Sequence, residues 1–234
     1  MGTGYTSVVY DAGADAVLKI NFAFREDSTY EADALRLFAG DGAVRLLRDD
    51  GRGALLLERL DPGRSLWSLP EVAANEVAAS ILRRVWRAPP PDSRYPTLEA
   101  AAHRWRRRLP GEIADLIPGL LEDPTAPVVL HQDFHHGNAL AGVREPWLMI
   151  DPKPMVGDPA YDLAPLVRDR RAELAADPDP ARRLRRRLDQ LCELTEIDRR
   201  RARDWAIVQT AAWGPGAPGD YTDQVLRLLL EIRI

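Results

Sequence analysis

Lysine is almost absent from this chain of 234 residues. Lysine and arginine together number 32, but only Lys19 and Lys153 are lysines, which leaves 30 arginines. Where arginine is the ordinary cation, a retained lysine suggests a position that needs a compact ammonium group rather than a planar guanidinium. Both lysines are therefore candidate functional residues.

Cysteine and long apolar runs are also scarce. The single cysteine, Cys192, excludes an intramolecular disulfide and a zinc site built from several thiolates. No apolar run approaches the ~20 residues that a membrane-spanning helix needs. The first residues, MGTGYTSVVYDAG, do not show the basic and then apolar segments of a signal peptide. We therefore expect a cytoplasmic protein that does not associate with membranes.

No strong excess of either charge is present. The formal net charge is −4, with 29% charged and 45% hydrophobic residues, which is ordinary for a soluble globular protein. Nucleic-acid binding is not expected, because a general basic surface is missing. The local run of arginines over residues 182–187 alternates with leucines at helical spacing. It predicts an amphipathic helix with a solvated basic face.

The first 60 residues predict a small antiparallel sheet with one helix. Residues 2–20 contain β-branched runs around a turn, which is typical of a hairpin. A helix is predicted over residues 28–39, and two further strands over residues 43–50 and 54–60.

The remainder of the chain predicts mainly helices. A turn-rich segment, Leu60-Asp-Pro-Gly-Arg64, marks the boundary. Helices are predicted over residues 69–87, 97–109, 111–122, 161–175, 180–195, 198–213 and 221–233. We therefore expect an α+β fold with two lobes, a small antiparallel β lobe over residues 1–60 and a larger, mainly α lobe over residues 61–234.

The densest group of polar residues lies between these helices. It begins with HQDFHHGN at residues 131–138, directly after the apolar VVL. The apolar segment PWLMI then leads into Asp151, and Gly157-Asp-Pro-Ala-Tyr-Asp162 follows. Strands hold the loops at their ends rigidly, so this group is a candidate active site.

Phosphoryl transfer is one chemistry that these residues fit. It needs a carboxylate for the acceptor proton, oxygen ligands for Mg²⁺ and a cation on the phosphates. Asp133 could be the base, and Asn138 and Asp151 could supply the oxygen ligands that Mg²⁺ prefers. Lys19 could hold the phosphates, with Glu31 as its ion-pair partner. The turn over residues 2–7 could cover the phosphates with backbone N–H groups.

Metal-assisted hydrolysis is the alternative chemistry. The histidines and aspartates of residues 131–158 are ligand types for zinc, iron or manganese. The spacing HxDxHH at residues 131–136 is unlike HExxH. This hypothesis also gives no role to Lys19 or Glu31.

The motifs resemble those of a known family. His131-x-Asp133-x-x-x-x-Asn138, Ile150-Asp151-Pro152 and Gly157-Asp158-x-x-x-Asp162 are similar to the aminoglycoside phosphotransferase branch of the protein-kinase-like fold. The longer strings LHQDFHHGNAL, PWLMIDPKPMVGDPAYDLA, GDGAVRLL and ALLLERLDPG resemble the subfamily of streptomycin and hydroxyurea phosphotransferases. The resemblance extends from about residue 5 to residue 214.

The resemblance implies roles for individual residues. Asp133 would be the catalytic base, and Asn138 and Asp151 the magnesium ligands. Lys19 would bind the ATP phosphates with Glu31 as its carboxylate partner.

Further residues receive supporting roles from the same resemblance. Ser7 would lie in the phosphate-covering turn, and Glu58 to Leu60 would form the hinge that binds adenine through backbone groups. His131, Asp158 and Asp162 would brace the catalytic loop. Gln132 departs from the family pattern, which has glycine after the catalytic-loop histidine.

The implied function is ATP- and Mg²⁺-dependent phosphorylation of a small-molecule hydroxyl. The implied acceptor is a streptomycin-like aminoglycoside or hydroxyurea, and the enzyme, a monomer or homodimer, would confer antibiotic resistance. The alternative is a kinase-like binding protein without catalysis, because the small lobe begins directly at its first hairpin. The roles of Lys153, His135 and His136 are left open by the sequence.

Overall fold

The computed structural model describes residues 2–3, 7–22, 29–122, 125–214 and 221–233. The sequence-based predictions for Gly4 to Thr6 fall outside these described residues.

A five-stranded antiparallel sheet forms the small lobe, in the order β1-β2-β3-β5-β4. Its strands are β1 Gly2–Thr3, β2 Ser7–Asp11, β3 Ala16–Asn21, β4 Leu46–Asp49 and β5 Ala54–Glu58. One helix, α1 Glu31–Phe38, accompanies the sheet. The predicted hairpin and strand order are confirmed, whereas the helix begins three residues later than predicted.

The local sequence accounts for the buried face of β5 and for the turn between β2 and β3. Leu55 and Leu57 alternate along β5 and are buried, as the two-residue period of a strand requires. Between β2 and β3 the backbone N–H of Gly13 donates to Asp11 Oδ1 at 2.9 Å. Gly13 has φ 107°, a conformation that glycine adopts at little cost.

The large lobe contains two small sheets and nine described helices. The sheets have the orders β6-β8-β9 and β10-β7, and both are antiparallel. Their strands are β6 Asp61–Ser65, β7 Val128–Leu130, β8 Ala139–Ala141, β9 Trp147–Met149 and β10 Met155–Gly157. The helices are α2 Glu71–Val85, α3 Leu98–Arg106, α4 Gly111–Ala114, α5 Leu116–Glu122, α6 Leu163–Arg168, α7 Arg171–Ala175, α8 Pro180–Thr195, α9 Arg199–Trp213 and α10 Thr222–Glu231.

Two predicted helices are interrupted in the structure. The segment 111–122 forms α4 and α5. The segment 161–175 begins as a 3₁₀ turn and then forms α6 and α7, which are separated at Arg170. Arg170 has φ 53°, a left-handed conformation that breaks the helical path.

The predicted basic face of α8 is only partly solvated. The helix spans the predicted residues and buries Leu184, Leu188 and Leu191. Arg187, however, is 1% exposed and donates to Glu71 Oε2 at 2.8 Å. The expected solvated basic face is therefore wrong for Arg187, which is buried against a carboxylate of α2. It is confirmed for Arg182, Arg185 and Arg186, which are exposed. None of the described helices has the length and apolar character needed to cross a bilayer.

Candidate active site

The ends of β8 and β9 bring Asn138 and Asp151 together. Ala139 pairs with Met149 in the sheet, and the backbone N–H of Ile150 donates to the carbonyl oxygen of Asn138 at 2.9 Å. Asn138 therefore precedes one strand where Asp151 follows its neighbour. Two residues 13 positions apart in sequence become neighbours at one sheet edge.

Lys19 links the two lobes through a buried ion-pair cluster. From β3 its Nζ lies 2.6 Å from Glu31 Oε1 on α1 and 2.5 Å from Asp151 Oδ1. Asn21 Nδ2 donates to the other Glu31 oxygen at 2.9 Å. Burial by itself would lower the pKa of Lys19, but the two carboxylates raise it above its ordinary value. The ammonium therefore stays charged although it is 5% exposed.

Asp151 adopts a left-handed backbone conformation, with φ 57°. Such a conformation is uncommon for residues other than glycine, although aspartate tolerates it better than most. Burial acts to raise the pKa of Asp151, and the charge of Lys19 more than offsets this, so the pKa is lowered. The carboxylate is thus ionised and aimed by a local turn, as a metal ligand requires.

Gln132 also has a positive φ, 72°. Glycine would adopt this conformation freely, whereas other residues do so at a cost of about 1–3 kcal/mol. The chain bears this cost because Gln132 replaces the glycine of the family pattern. Three hydrogen bonds hold Gln132 in this conformation. Its backbone N–H donates to Asp162 at 2.7 Å, its carbonyl accepts from Gln209 at 3.2 Å, and its side chain donates to the Lys153 carbonyl at 3.2 Å.

Asp162 binds the backbone of the loop over residues 131–138. Its carboxylate accepts from the backbone N–H groups of His131 and Gln132, at 2.8 and 2.7 Å, and from the indole of Trp86 at 3.1 Å. Burial raises the pKa of Asp162 to about 6, and the three N–H donors oppose that rise.

His131 is a buried, neutral member of the same loop. Burial lowers its pKa to about 4, and its Nε2 lies 2.9 Å from the carbonyl oxygen of Ile150. Its Nδ1 accepts from the backbone N–H of Asp133 at 3.2 Å. These partners place the proton on Nε2, because a carbonyl oxygen can only accept. His131 therefore orients the loop and is not available as a metal ligand.

Asp158 stabilises the turn that carries Asp162. It accepts from the backbone N–H of Ala160 at 3.0 Å, from the indole of Trp205 at 2.6 Å and from Thr125 Oγ1 at 2.9 Å. Arg201 forms an ion pair with it. Both aspartates therefore have the contacts expected of bracing residues.

Asp133 lies between two cations. Lys153 Nζ is 2.5 Å from its Oδ2, and Arg168 Nη2 is 4.0 Å from its Oδ1. Arg168 stacks on the ring of Trp213, with 4.4 Å between the guanidinium carbon and the ring centroid. Asn138 Nδ2 donates to the Asp133 carbonyl at 2.9 Å. Sequence reasoning missed Arg168, for which the chain offers no local signal beyond a basic residue at the end of α6.

A cavity of about 620 Å³ opens beside Lys153 and Gln132. Its volume suits a drug-sized ligand. The lining includes exposed Arg94 and Arg104, and neither forms an ion pair within the described ranges. Its other lining residues are Thr29, Tyr30, Pro96, Ala101, Trp105, Pro154, Met155 and Trp213.

The two loop histidines that the sequence left open have structural partners. His136 bonds to Asp169 through its backbone N–H at 2.9 Å and its Nδ1 at 2.7 Å, and to Asn75 through Nε2 at 3.0 Å. His135 Nδ1 accepts from the backbone N–H of Gly137 at 3.1 Å. Among the described residues, no group of three or more histidine, cysteine, aspartate or glutamate side chains could hold a metal ion.

The hinge segment is partly occupied by internal bonds. The backbone N–H of Glu58 donates to the carbonyl oxygen of Arg45 at 3.0 Å. The backbone N–H of Arg59 donates to the carbonyl oxygen of Asp15 at 2.9 Å. Leu60 is buried at its end. The role of Glu58 and Leu60 in adenine binding therefore stays a prediction.

Ser7 lies at the start of β2, buried and opposite Asn21 of β3. This places it one strand away from Lys19, at the edge where the predicted phosphate-covering turn joins the sheet. Its role in binding phosphate stays a prediction.

The donor set fits a magnesium ion. Asp151 provides an ionised carboxylate, and Asn138 uses its amide nitrogen internally, which leaves its amide oxygen as a ligand atom. Oxygen atoms from one or two side chains, completed by phosphate and water, are the usual protein environment of Mg²⁺.

The chain is similar to known proteins over most of its length. A family model described as "Aminoglycoside/hydroxyurea antibiotic resistance kinase" matches residues 3–215. A streptomycin 6-kinase from Streptomyces glaucescens is 39% identical over 220 residues, which cover 86% of this chain and 71% of the relative. A hydroxyurea phosphotransferase from Kitasatospora aureofaciens is 39% identical over 228 residues, 88% of this chain and 64% of the relative.

Solved structures share the fold. The aminoglycoside phosphotransferase APH(3'')-Id from Streptomyces rimosus, in complex with ADP and streptomycin, superposes with a TM-score of 0.60 at 20% identity and covers 86% of this chain and 88% of its own. The choline kinase LicA from Streptococcus pneumoniae superposes with a TM-score of 0.64 at 13% identity, covering 99% and 92%. The two-lobed kinase-like fold expected from the sequence is confirmed.

Proposed function

Because the chain belongs to the aminoglycoside/hydroxyurea antibiotic resistance kinase family, we propose that it transfers the γ-phosphoryl group of ATP to a hydroxyl of a streptomycin-like aminoglycoside or of hydroxyurea. Phosphorylation would remove a hydroxyl by which the drug contacts its target. Residues 1–60 would bind the nucleotide, and residues 61–234 would supply the base and bind the acceptor.

The observation that carries this proposal is the convergence of Lys19, Asp151 and the loop of Asp133 and Asn138 between the lobes. Lys19 reaches Asp151, 132 positions away in the chain, at 2.5 Å. Asp133 and Asn138 come from the adjoining loop, where Asn138 bonds the Asp133 carbonyl. Groups that could serve as base, metal ligands and phosphate cation thus lie close together, and this proximity supports phosphoryl transfer.

Each side chain has a defined task in this reaction. Asp133 orients the acceptor hydroxyl and takes its proton. Lys19, held by Glu31, binds the nonreacting phosphates as a fixed point charge. Asn138 and Asp151 would hold Mg²⁺. When bound, this ion neutralises phosphate charge that protein side chains alone would leave uncompensated.

The test is ATP turnover with a panel that contains streptomycin, other aminoglycosides and hydroxyurea. We expect turnover by the wild type and a loss of about 10²–10⁴-fold in kcat for Asp133→Ala, because a general base typically contributes that much. Asp115→Ala, which removes an exposed carboxylate at the end of α4, serves as the matched control. Absence of wild-type turnover across the panel, or equal turnover by Asp133→Ala, would contradict the proposal.

Binding of MgATP separates the kinase from a kinase-like binding protein. Calorimetry should show nucleotide binding by both the wild type and Asp133→Ala, because Asp133 is assigned to the acceptor and not to the nucleotide. A protein that binds an aminoglycoside without binding MgATP would be a binding protein instead.

A further inference from the structure

Both lysines of the chain lie in the active-site cleft, although the chain has 30 arginines distributed over its length. Lys19 contacts Asp151 and Lys153 contacts Asp133, each at 2.5 Å. The proposed function uses Lys19 and gives Lys153 no task. Since guanidinium is the ordinary cation of this chain, a second ammonium at the same cleft requires its own explanation.

Neutralising Asp133 does not explain Lys153. Arg168 already lies 4.0 Å from the other oxygen of this carboxylate, and its stacking on Trp213 at 4.4 Å fixes its position. The carboxylate would therefore keep one nearby cation without Lys153. The two cations differ in their access to the cavity of about 620 Å³, in which we place the acceptor, because Lys153 is among its lining residues and Arg168 is not.

The backbone of Lys153 is fixed to the catalytic loop on both sides. Its N–H donates to the His131 carbonyl at 3.1 Å, and its own carbonyl accepts from Gln132 Nε2 at 3.2 Å. The side chain, 17% exposed, thus extends from a fixed backbone to Asp133, the proposed base. An ammonium group has three donors, so it can hold Asp133 with one and a phosphoryl oxygen with another.

We propose that Lys153 is a second catalytic residue, whose ammonium bonds the phosphoryl group during its passage from ATP to the acceptor; this rests on the proposed function. The acceptor O–H proton moves to Asp133, and the acceptor oxygen forms a bond to the γ-phosphorus. The bond from that phosphorus to the β–γ bridging oxygen breaks, and its electron pair leaves with ADP. Lys153 keeps its protons throughout and stabilises the charge on the equatorial phosphoryl oxygens.

A compact ammonium suits this position better than a guanidinium. The planar fork of arginine favours two parallel bonds to one carboxylate, and this would engage both oxygens of Asp133. The acceptor proton needs one of those oxygens. Lysine bonds a single oxygen and leaves the other accessible.

The test compares binding of MgADP with binding of MgADP plus fluoroaluminate, which mimics the planar phosphoryl group in transfer. We expect Lys153→Met to bind MgADP like the wild type. The additional affinity that fluoroaluminate provides should fall by about 10–100-fold, the worth of a hydrogen bond to a charged group. The control Arg83→Met removes an exposed cation that pairs with exposed Glu196, and it should change neither affinity.

A role of Lys153 in only holding Asp133 predicts a different result. The gain from fluoroaluminate would then be the same in Lys153→Met and the wild type, and the proposal would be wrong, whereas the roles of Asp133 and Lys19 would stand. A wild type that binds MgADP but gains nothing from fluoroaluminate would overturn it as well. A wild type that binds no MgADP would refute the proposed function together with it.

Discussion

The two sides of the cleft balance their charges differently. On the nucleotide side, formed by Lys19, Glu31 and Asp151, every charge has a buried partner within the chain. On the acceptor side, formed by Asp133, Lys153 and the cavity, Arg94 and Arg104 are exposed cavity residues without ion pairs in the described ranges. The nucleotide side thus pairs its charges within the chain, whereas the acceptor side carries exposed cations that would repel a cationic acceptor such as streptomycin. Stability should depend on the first side and acceptor choice on the second.

Removing the ammonium of Lys19 should have the largest effect on stability. In Lys19→Met, Glu31 and Asp151 would face each other without their shared cation. Breaking a buried ion pair in this way typically costs about 3–5 kcal/mol. Urea unfolding at neutral pH should show this loss, and MgATP affinity should fall with it.

The matched control for Lys19→Met is again Arg83→Met. Its ion pair with Glu196 lies at the surface, with side chains 51% and 75% exposed. Such a pair contributes about 0–1 kcal/mol. Equal unfolding free energies for the two variants would mean that the nucleotide side is no more dependent on its ion pairs than the surface is.

Much of the structure on the two sides of the cleft could be predicted from the sequence, because it follows local sequence patterns. Alternating apolar residues predicted the strands around Lys19, and 3.6-residue spacing predicted α8 to the residue. The motif spacing indicated Asp133, Asn138 and Asp151 as one site, since residues that border adjacent strands become neighbours.

Contacts between remote segments could not be predicted in this way. The pairing of Lys153 with Asp133 joins two segments of the chain, one of which follows the left-handed turn at Asp151. Burial of Arg187 depends on Glu71, 116 positions earlier. The charge of the acceptor cavity depends on how α3 packs.

The buried loop residue His131 should give a pH-dependent contribution to the free energy of unfolding. Burial lowers the pKa of His131 to about 4 in the folded protein, below the unfolded value of about 6.5. Its contribution is therefore present above pH 6.5 and is lost as the pH falls toward 4. A shift of this size corresponds to about 3 kcal/mol.

A difference measurement isolates this contribution from that of Asp162, whose raised pKa gives the opposite slope. The gap in unfolding free energy between the wild type and His131→Asn should shrink by up to about 3 kcal/mol from pH 7 to pH 4. The control Val143→Ala changes an exposed residue that carries no titratable group, and it should show a constant gap. A constant gap for His131→Asn would mean that His131 is not held neutral in the folded protein.

Reversing one charge on the acceptor side should have the smallest effect and the clearest bearing on acceptor choice. Arg104 is an exposed cavity residue, and water screens its field to about 1 kcal/mol or less at close range. Arg104→Glu should therefore lower the KM for streptomycin by about threefold to fivefold. It should leave the KM for neutral hydroxyurea unchanged, because an uncharged acceptor does not respond to the sign of a nearby charge.

The same substitution should lose its effect at high salt, since screening is stronger there. An equal change for both acceptors would show that Arg104 acts by shape, and the contrast in charge between the two sides would then not govern acceptor choice.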